Sequence, residues 1–162
     1  MANFAAIIAN RGFYYTPHVV KGIGDSKNPL DKYKIRHYTT VDTAYFKYVV
    51  NGMERVVQAG TAAWSRIDGL SICGKTGTVQ NGKVEGQKAD HSVFIAFSPK
   101  YNPKIAIAVF VENAGFGAMT AAPIANLMIE KYLTDTITKK SMEDYILNKY
   151  LLPKTKPSTL PR

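Results

Sequence analysis

Two apolar runs constrain this chain more than any other feature. His91 to Ser98 carries Val93, Phe94, Ile95, Ala96 and Phe97, and Lys104 to Glu112 carries an unbroken apolar stretch from Ile105 to Val111. Each has the length of a strand, and each is apolar at consecutive positions rather than alternate ones. Strands of that kind are dry on both faces, so the sheet that holds them needs helices on each side. Tyr101-Asn102-Pro103 leaves room only for a tight reversal between them, which makes the pair antiparallel.

The helices that could cover such a sheet are legible around it. Residues 2–11 place Phe4, Ile7 and Ile8 among small alanines at helical spacing, with Gly12 as the expected C-cap. Residues 41–58 repeat Val41, Tyr45, Tyr48, Val49, Met53 and Val56 at three- and four-residue steps, with Thr40 as the expected N-cap and Gly60 as the stop. Residues 120–133 resume the spacing through Ile124, Leu127, Met128 and Tyr132, with Pro123 tolerable in the first turn. Ser141 to Asp144 has the pattern of a capping box opening a short helix to about Leu151.

Between the helices, Phe13 to Tyr15 and His18 to Val20 read as short extended segments around Pro17. Lys32 to Thr40 reads as an edge strand with Tyr33, Ile35 and His37 alternating. Thr61 to Ile67 reads as a helical turn holding the single tryptophan, Trp64. Leu70 to Cys73 reads as a strand entering Gly74 to Val79, and Asn81-Gly82 signals a tight turn between Val79 and Val84. The order predicts an α+β fold with an antiparallel β-sheet flanked by helices.

Composition removes several classes of function. The chain has 162 residues, 46% of them apolar, enough for a core. A single cysteine, Cys73, excludes a disulfide framework and a cysteine-based zinc site, and no His spacing suggests a metal. No apolar run reaches the roughly 18–20 residues of a membrane span. The formal charge of +9 raises nucleic-acid or anionic-membrane binding. The basic residues are dispersed, however, and are densest from Lys131 to Arg162, where no stacking or helix-turn-helix pattern accompanies them. A solvated basic surface with no nucleic-acid partner is the expectation.

Chemistry concentrates in Lys75-Thr76-Gly77-Thr78. On a strand, Thr76 and Thr78 project from one face, because side chains alternate. Two hydroxyl donors, an ammonium and a backbone left open at a glycine suit the carboxylate of an extended peptide. Gly74-Lys75-Thr76 also invites a phosphate-loop reading, set aside here on the placement of Gly69, five residues before Gly74. Asp90-His91 invites an acid–base reading, but strand-end hydrogen bonding is the expectation for it. Glu112-Asn113 is expected to form a hydrogen-bonding corner, His18 and His37 to be structural or exposed, and Cys73 to be a small buried hydrophobe.

Lys-Thr-Gly is also a signature of the penicillin-binding and serine β-lactamase group. Further segments resemble its class B branch, the penicillin-binding protein 2 type. They are Ala5 to Gly12 with Pro17 to Val20, Gly52-Met53 with Val56-Val57, Gly60-Thr61-Ala62, Asp90-His91, Phe94 to Pro99, Asn102 to Ala106, and Val111 to Asn113 with Ala121 to Ala125. The resemblance runs over residues 1–133, leaving 134–162 as a basic tail with a short helix. It implies the C-terminal half of a transpeptidase fold from a periplasmic enzyme, membrane-anchored by a segment outside this chain, that crosslinks peptidoglycan stem peptides in cell-wall elongation and is trapped by β-lactams. By that resemblance Lys75 adds positive potential, the Thr76 and Thr78 hydroxyls bind the carboxylate, the Thr78 N–H supplies half of an oxyanion hole, and Gly77 lets substrate lie along the strand. No cofactor is implied.

The chain departs from that pattern in its nucleophile. None of its serines has a lysine three residues on, so no Ser-x-x-Lys is present. Ser26-Lys27-Asn28 fits a Ser-x-Asn triplet by letters, but stands only 49 residues before Lys75 and reads as coincidence. The expectation is a piece cut just before residue 2, inactive alone. Its partners would be the upstream half of its own domain and elongation-machinery proteins, and its uncovered apolar surface would favour self-association. Two other readings are kept: a septal transpeptidase or β-lactam sensor, and a noncatalytic scaffold on the same half-fold.

Overall fold

The computed structural model describes residues 1–25, 28–80 and 90–149. In chain order these form α1 (Ala2–Ala9), β1 (Phe13–Tyr15), β2 (Arg36–Tyr38), α2 (Thr43–Gln58), β3 (Cys73–Val79), β4 (His91–Ser98), β5 (Ile105–Val111), α3 (Ala121–Thr134) and α4 (Lys140–Leu147). Single 3₁₀ turns occupy Asp31–Tyr33 and Ala63–Ser65.

The two apolar runs are strands, as their composition requires. β4 is central in a three-stranded antiparallel sheet of order β3-β4-β5. Phe94 and Ala96 face one side and pack with Ile107, Val109, Ala121, Ala122, Ala125 and Ile129, placing α3 there. Phe97 and Cys73 face the other side, against Ile8, Ala9, Phe46, Val50 and Met53 of α1 and α2. Phe94 and Phe97 have no exposed surface. Helices thus cover both faces of β4, whereas β5, also read as dry on both faces, is only half-buried along its length with Phe110 exposed at the sheet edge; the fold is α+β.

Each helix carries a correction. α1 stops at Ala9 rather than residue 11, because the chain turns left-handed at Arg11 (φ 59°) and Gly12 (φ 109°). A side chain at Gly12 would also put its Cβ 2.9 Å from the Phe46 ring. α2 begins at Thr43, and its cap is Asp42, whose Oδ1 accepts the Ala44 N–H at 2.8 Å, not Thr40. Its buried stripe is Phe46, Val50, Met53 and Val57, while Val41, Tyr45, Tyr48 and Val49 are exposed. The helix has two apolar stripes, and the sheet takes the one with phenylalanine and three aliphatic residues. On α3 the small residues Ala121, Ala122 and Ala125 meet the sheet, since they permit close approach. Met128 and Tyr132 are exposed. α4 opens at Lys140 with no side-chain cap, so the Ser141–Asp144 capping box is not formed.

The expected strand over residues 32–40 is cut to Arg36–Tyr38, paired with Phe13–Tyr15 in a separate two-stranded sheet. Asp31 to Tyr33 winds into its 3₁₀ turn instead, with Lys34 Nζ 2.9 Å from Asp31 Oδ1 and Tyr33 stacked on His18. Leu70 to Ile72 precedes β3 without joining its ladder. The Asn81-Gly82 turn, Ser26-Lys27 and the prolines of the tail lie outside the described residues.

Candidate functional site

The Lys75-Thr76-Gly77-Thr78 segment lies within β3, whose far edge has no strand beside it among the described residues. The register pairs Thr76 with Phe94 and Thr78 with Ser92, so both hydroxyls stand on the α3 face. Thr76 is half-buried and Thr78 exposed. Lys75 pairs with Ile95 and points to the opposite face, where it borders an apolar depression of about 410 Å³ with Phe4, Ile8, Val49, Met53 and Val56. Its Nζ comes back to the strand and donates to the Thr76 carbonyl at 2.8 Å. The two hydroxyls therefore share a face, with the ammonium reaching the same backbone from behind.

Spacing does not dispose of a phosphate loop, because Gly69 and Gly74 do have the separation that motif uses. Backbone conformation does. A phosphate loop wraps its amides round the anion and leads into a helix, whereas residues 73–79 are a continuous strand paired along its whole length with β4. Gly74 is needed there for packing: a Cβ would run into the Phe94 ring, 2.9 Å from its Cε1.

Three residues that brace this strand carry no role in the sequence reading. Thr61 Oγ1 lies 3.0 Å from Thr76 Oγ1, so it can donate to that hydroxyl and leave the Thr76 proton for a ligand. Gly117 lies directly on β3, where an added Cβ would be 2.5 Å from the Gly77 oxygen. Trp64 donates its indole N–H to the Ala118 carbonyl at 2.8 Å, tying the 63–65 turn to the loop that carries Gly117. The signal for Thr61 was present in Gly60-Thr61-Ala62, but nothing in the sequence places residue 61 beside residue 76.

The remaining candidates take structural places. His91 Nδ1 accepts the Asn113 N–H at 3.0 Å and its ring packs 5.3 Å from Phe110, the strand-end bonding expected of Asp90-His91. His18 bonds the Thr16 carbonyl, and His37 stacks on Tyr14. Cys73 is fully buried, and burial, with the nearby Glu54 charge, pushes its thiol up to about 12. Such a thiol is an inert packing group. No cluster of metal-ligating side chains occurs among the described residues. No helix there is long and apolar enough to cross a membrane.

Comparison with known proteins gives this strand its context. The family described as the penicillin binding protein transpeptidase domain matches residues 1–130. The chain belongs to that family. It is 32% identical over 153 residues to the peptidoglycan D,D-transpeptidase MrdA of Haemophilus influenzae, covering 85% of this chain and 24% of that protein. Among solved structures it resembles PBP2 of Pseudomonas aeruginosa in complex with WCK 5153 (31% identity, TM-score 0.70, 86% of this chain and 30% of that one). It also resembles penicillin-binding protein A of M. tuberculosis as a ceftriaxone acyl-enzyme complex (29% identity, TM-score 0.67, 82% of this chain and 31% of that one). The transpeptidase-domain chain thus spans about a quarter of the curated relative's length, and its relatives are of the PBP2 type.

Proposed function

We propose that this chain is the substrate-holding part of a peptidoglycan D,D-transpeptidase that works through an acyl-serine. The observation that carries the reading is Thr76 and Thr78 on one face of a strand whose outer edge has no strand beside it among the described residues. A donor stem peptide would lie antiparallel along that edge, its terminal carboxylate held by the two hydroxyls. Lys75 would add positive potential behind the strand, and the Thr78 N–H would donate to the oxygen that becomes negative as the carbonyl is attacked. Gly77 would keep a side chain out of the peptide's path.

The attacking serine would come from residues outside this chain, which holds no Ser-x-x-Lys. Its oxygen would bond to the penultimate D-alanine carbonyl and the terminal D-alanine would leave with a proton. An amine of a neighbouring strand would then displace the serine and complete the crosslink. β-Lactams would enter as donor mimics. The enzyme would work in cell-wall elongation at the periplasmic face of the inner membrane, anchored by a segment outside this chain, beside elongation-machinery proteins. The apolar depression by Phe4 and Val49 would be covered by the upstream half of the domain, and in its absence by a second copy.

Purified chain incubated with a penicillin and analysed by intact mass tests the division of labour. The expected result is no covalent adduct. An adduct of one penicillin per chain would place a nucleophile within residues 1–162 and overturn it.

A further inference from the structure

Residues 135–149 lie beyond the stretch that matches the transpeptidase family, yet they are fastened to the Trp64 turn and to the loop carrying Gly117, the two segments that brace the Thr76–Thr78 strand. From sequence, α4 is a short helix in a basic tail whose surface is expected to be solvated. In the structure Met142 is 1% exposed and belongs to the main core, with Ile137 and Ile146 packed beside it. The linker is held as well, since buried Glu130 accepts both the Thr138 N–H, at 3.0 Å, and the Thr138 hydroxyl.

From this anchored helix and the residues flanking it, three side chains reach the site's supports. The Tyr145 ring meets Trp64 edge-on, with centroids 5.3 Å apart. Lys149 Nζ donates to the Met119 carbonyl at 3.0 Å and to the Tyr145 hydroxyl at 2.9 Å. Lys139 Nζ donates to the Trp64 carbonyl and, at 3.0 Å, to that of Arg66. Trp64 sits on the turn that begins beside Thr61, the partner of the Thr76 hydroxyl. Met119 sits on the loop that lays Gly117 on Gly77. One helix thus bears on the hydroxyl from one side and on the strand backbone from the other.

We propose that Tyr145 and Lys149 are positioning residues for the Thr76–Thr78 carboxylate cradle, acting through Trp64 and the Phe116–Thr120 loop. This rests on the reading of that strand as a carboxylate site. Neither residue touches the ligand. Each sets where the Thr61 hydroxyl and the Gly117 backbone come to rest, and so how well the two threonines converge on one anion. Shifts of this sort change affinity without removing a contact to the ligand.

The test uses ¹⁵N-labelled full chain titrated with N-acetyl-D-alanyl-D-alanine. In Tyr145→Ala and Lys149→Met the Thr76 and Thr78 amide resonances are expected to move before any peptide is added. Peptide affinity should fall about 3- to 10-fold, with Tyr145→Phe retaining most of it and the melting transitions staying cooperative. Changes confined to α4, with Thr76, Thr78 and the affinity unmoved, would overturn the proposal. If the unsubstituted chain binds no peptide while the two amides still move in the variants, the carboxylate reading falls and the structural coupling stands.

Discussion

Replacing Gly117 by alanine loads the contact that the 113–120 loop makes with the Lys75–Thr78 strand and with the Val93 carbonyl of β4 beside it. The backbone at Gly117 is not left-handed, so the added methyl meets only a steric obstacle. Its Cβ would lie 2.5 Å from the Gly77 oxygen and 3.1 Å from the Gly77 nitrogen. Ordinary contact needs about 1 Å more than the shorter of these. Neither neighbour is a flexible side chain, so loop and strand must separate. Overpacking of that kind costs about 1–3 kcal/mol. For a domain of this size each kcal/mol lowers Tm by about 2–4 °C, giving an expected loss of about 2–12 °C by calorimetry. Gly52→Ala is the internal control. That site, within α2, has nothing within 4 Å of the added methyl, and alanine there should stabilise by about 0.5–1 kcal/mol. The reasoning is refuted if Gly117→Ala leaves Tm and the Thr76 and Thr78 resonances unchanged, or if both substitutions shift Tm in the same direction.

Two further outcomes follow from single contacts. Asp42→Ala removes the oxygen that accepts the Ala44 N–H and should cost about 1 kcal/mol in denaturant unfolding, while Thr40→Ala should cost far less; equal losses would restore Thr40 as the cap. Cys73, with its pKa pushed up to about 12, stays a neutral thiol below that pH, so it should resist a thiol-specific reagent at pH 8 in the native chain and react fully once unfolded. Rapid native labelling would contradict its burial.

The large features of the fold were legible because the sequence repeats them. Consecutive apolar residues at Val93 to Phe97 and Ile105 to Val111 demand a sheet covered on both sides, and α1, α2 and α3 supply the cover. The buried face of α2 was legible only at Met53, because Tyr45, Tyr48 and Val49 recur at the same helical spacing as Phe46, Val50 and Val57, and the sheet's position chooses between the two stripes. The strand at residues 32–40 shortened because the Asp31–Lys34 pair accompanies a 3₁₀ turn that alternation cannot reveal. The four residues of the site were visible as a motif, whereas Thr61, Trp64 and Gly117 reach it by tertiary contact. The α4 helix itself was legible, but its docking was not, for the same reason: one buried side chain, Met142, fixes a helix that otherwise reads as polar.

The central claim is that Thr76 and Thr78 together hold a peptide carboxylate on the edge of β3. Its most direct measurement is the amide spectrum of the chain titrated with N-acetyl-D-alanyl-D-alanine, beside the same peptide amidated at its C-terminus. The account predicts saturable shifts centred on Thr76, Gly77 and Thr78 for the free acid alone, abolished in Thr78→Val. Equal shifts with the amide, or shifts centred away from this strand, would contradict it.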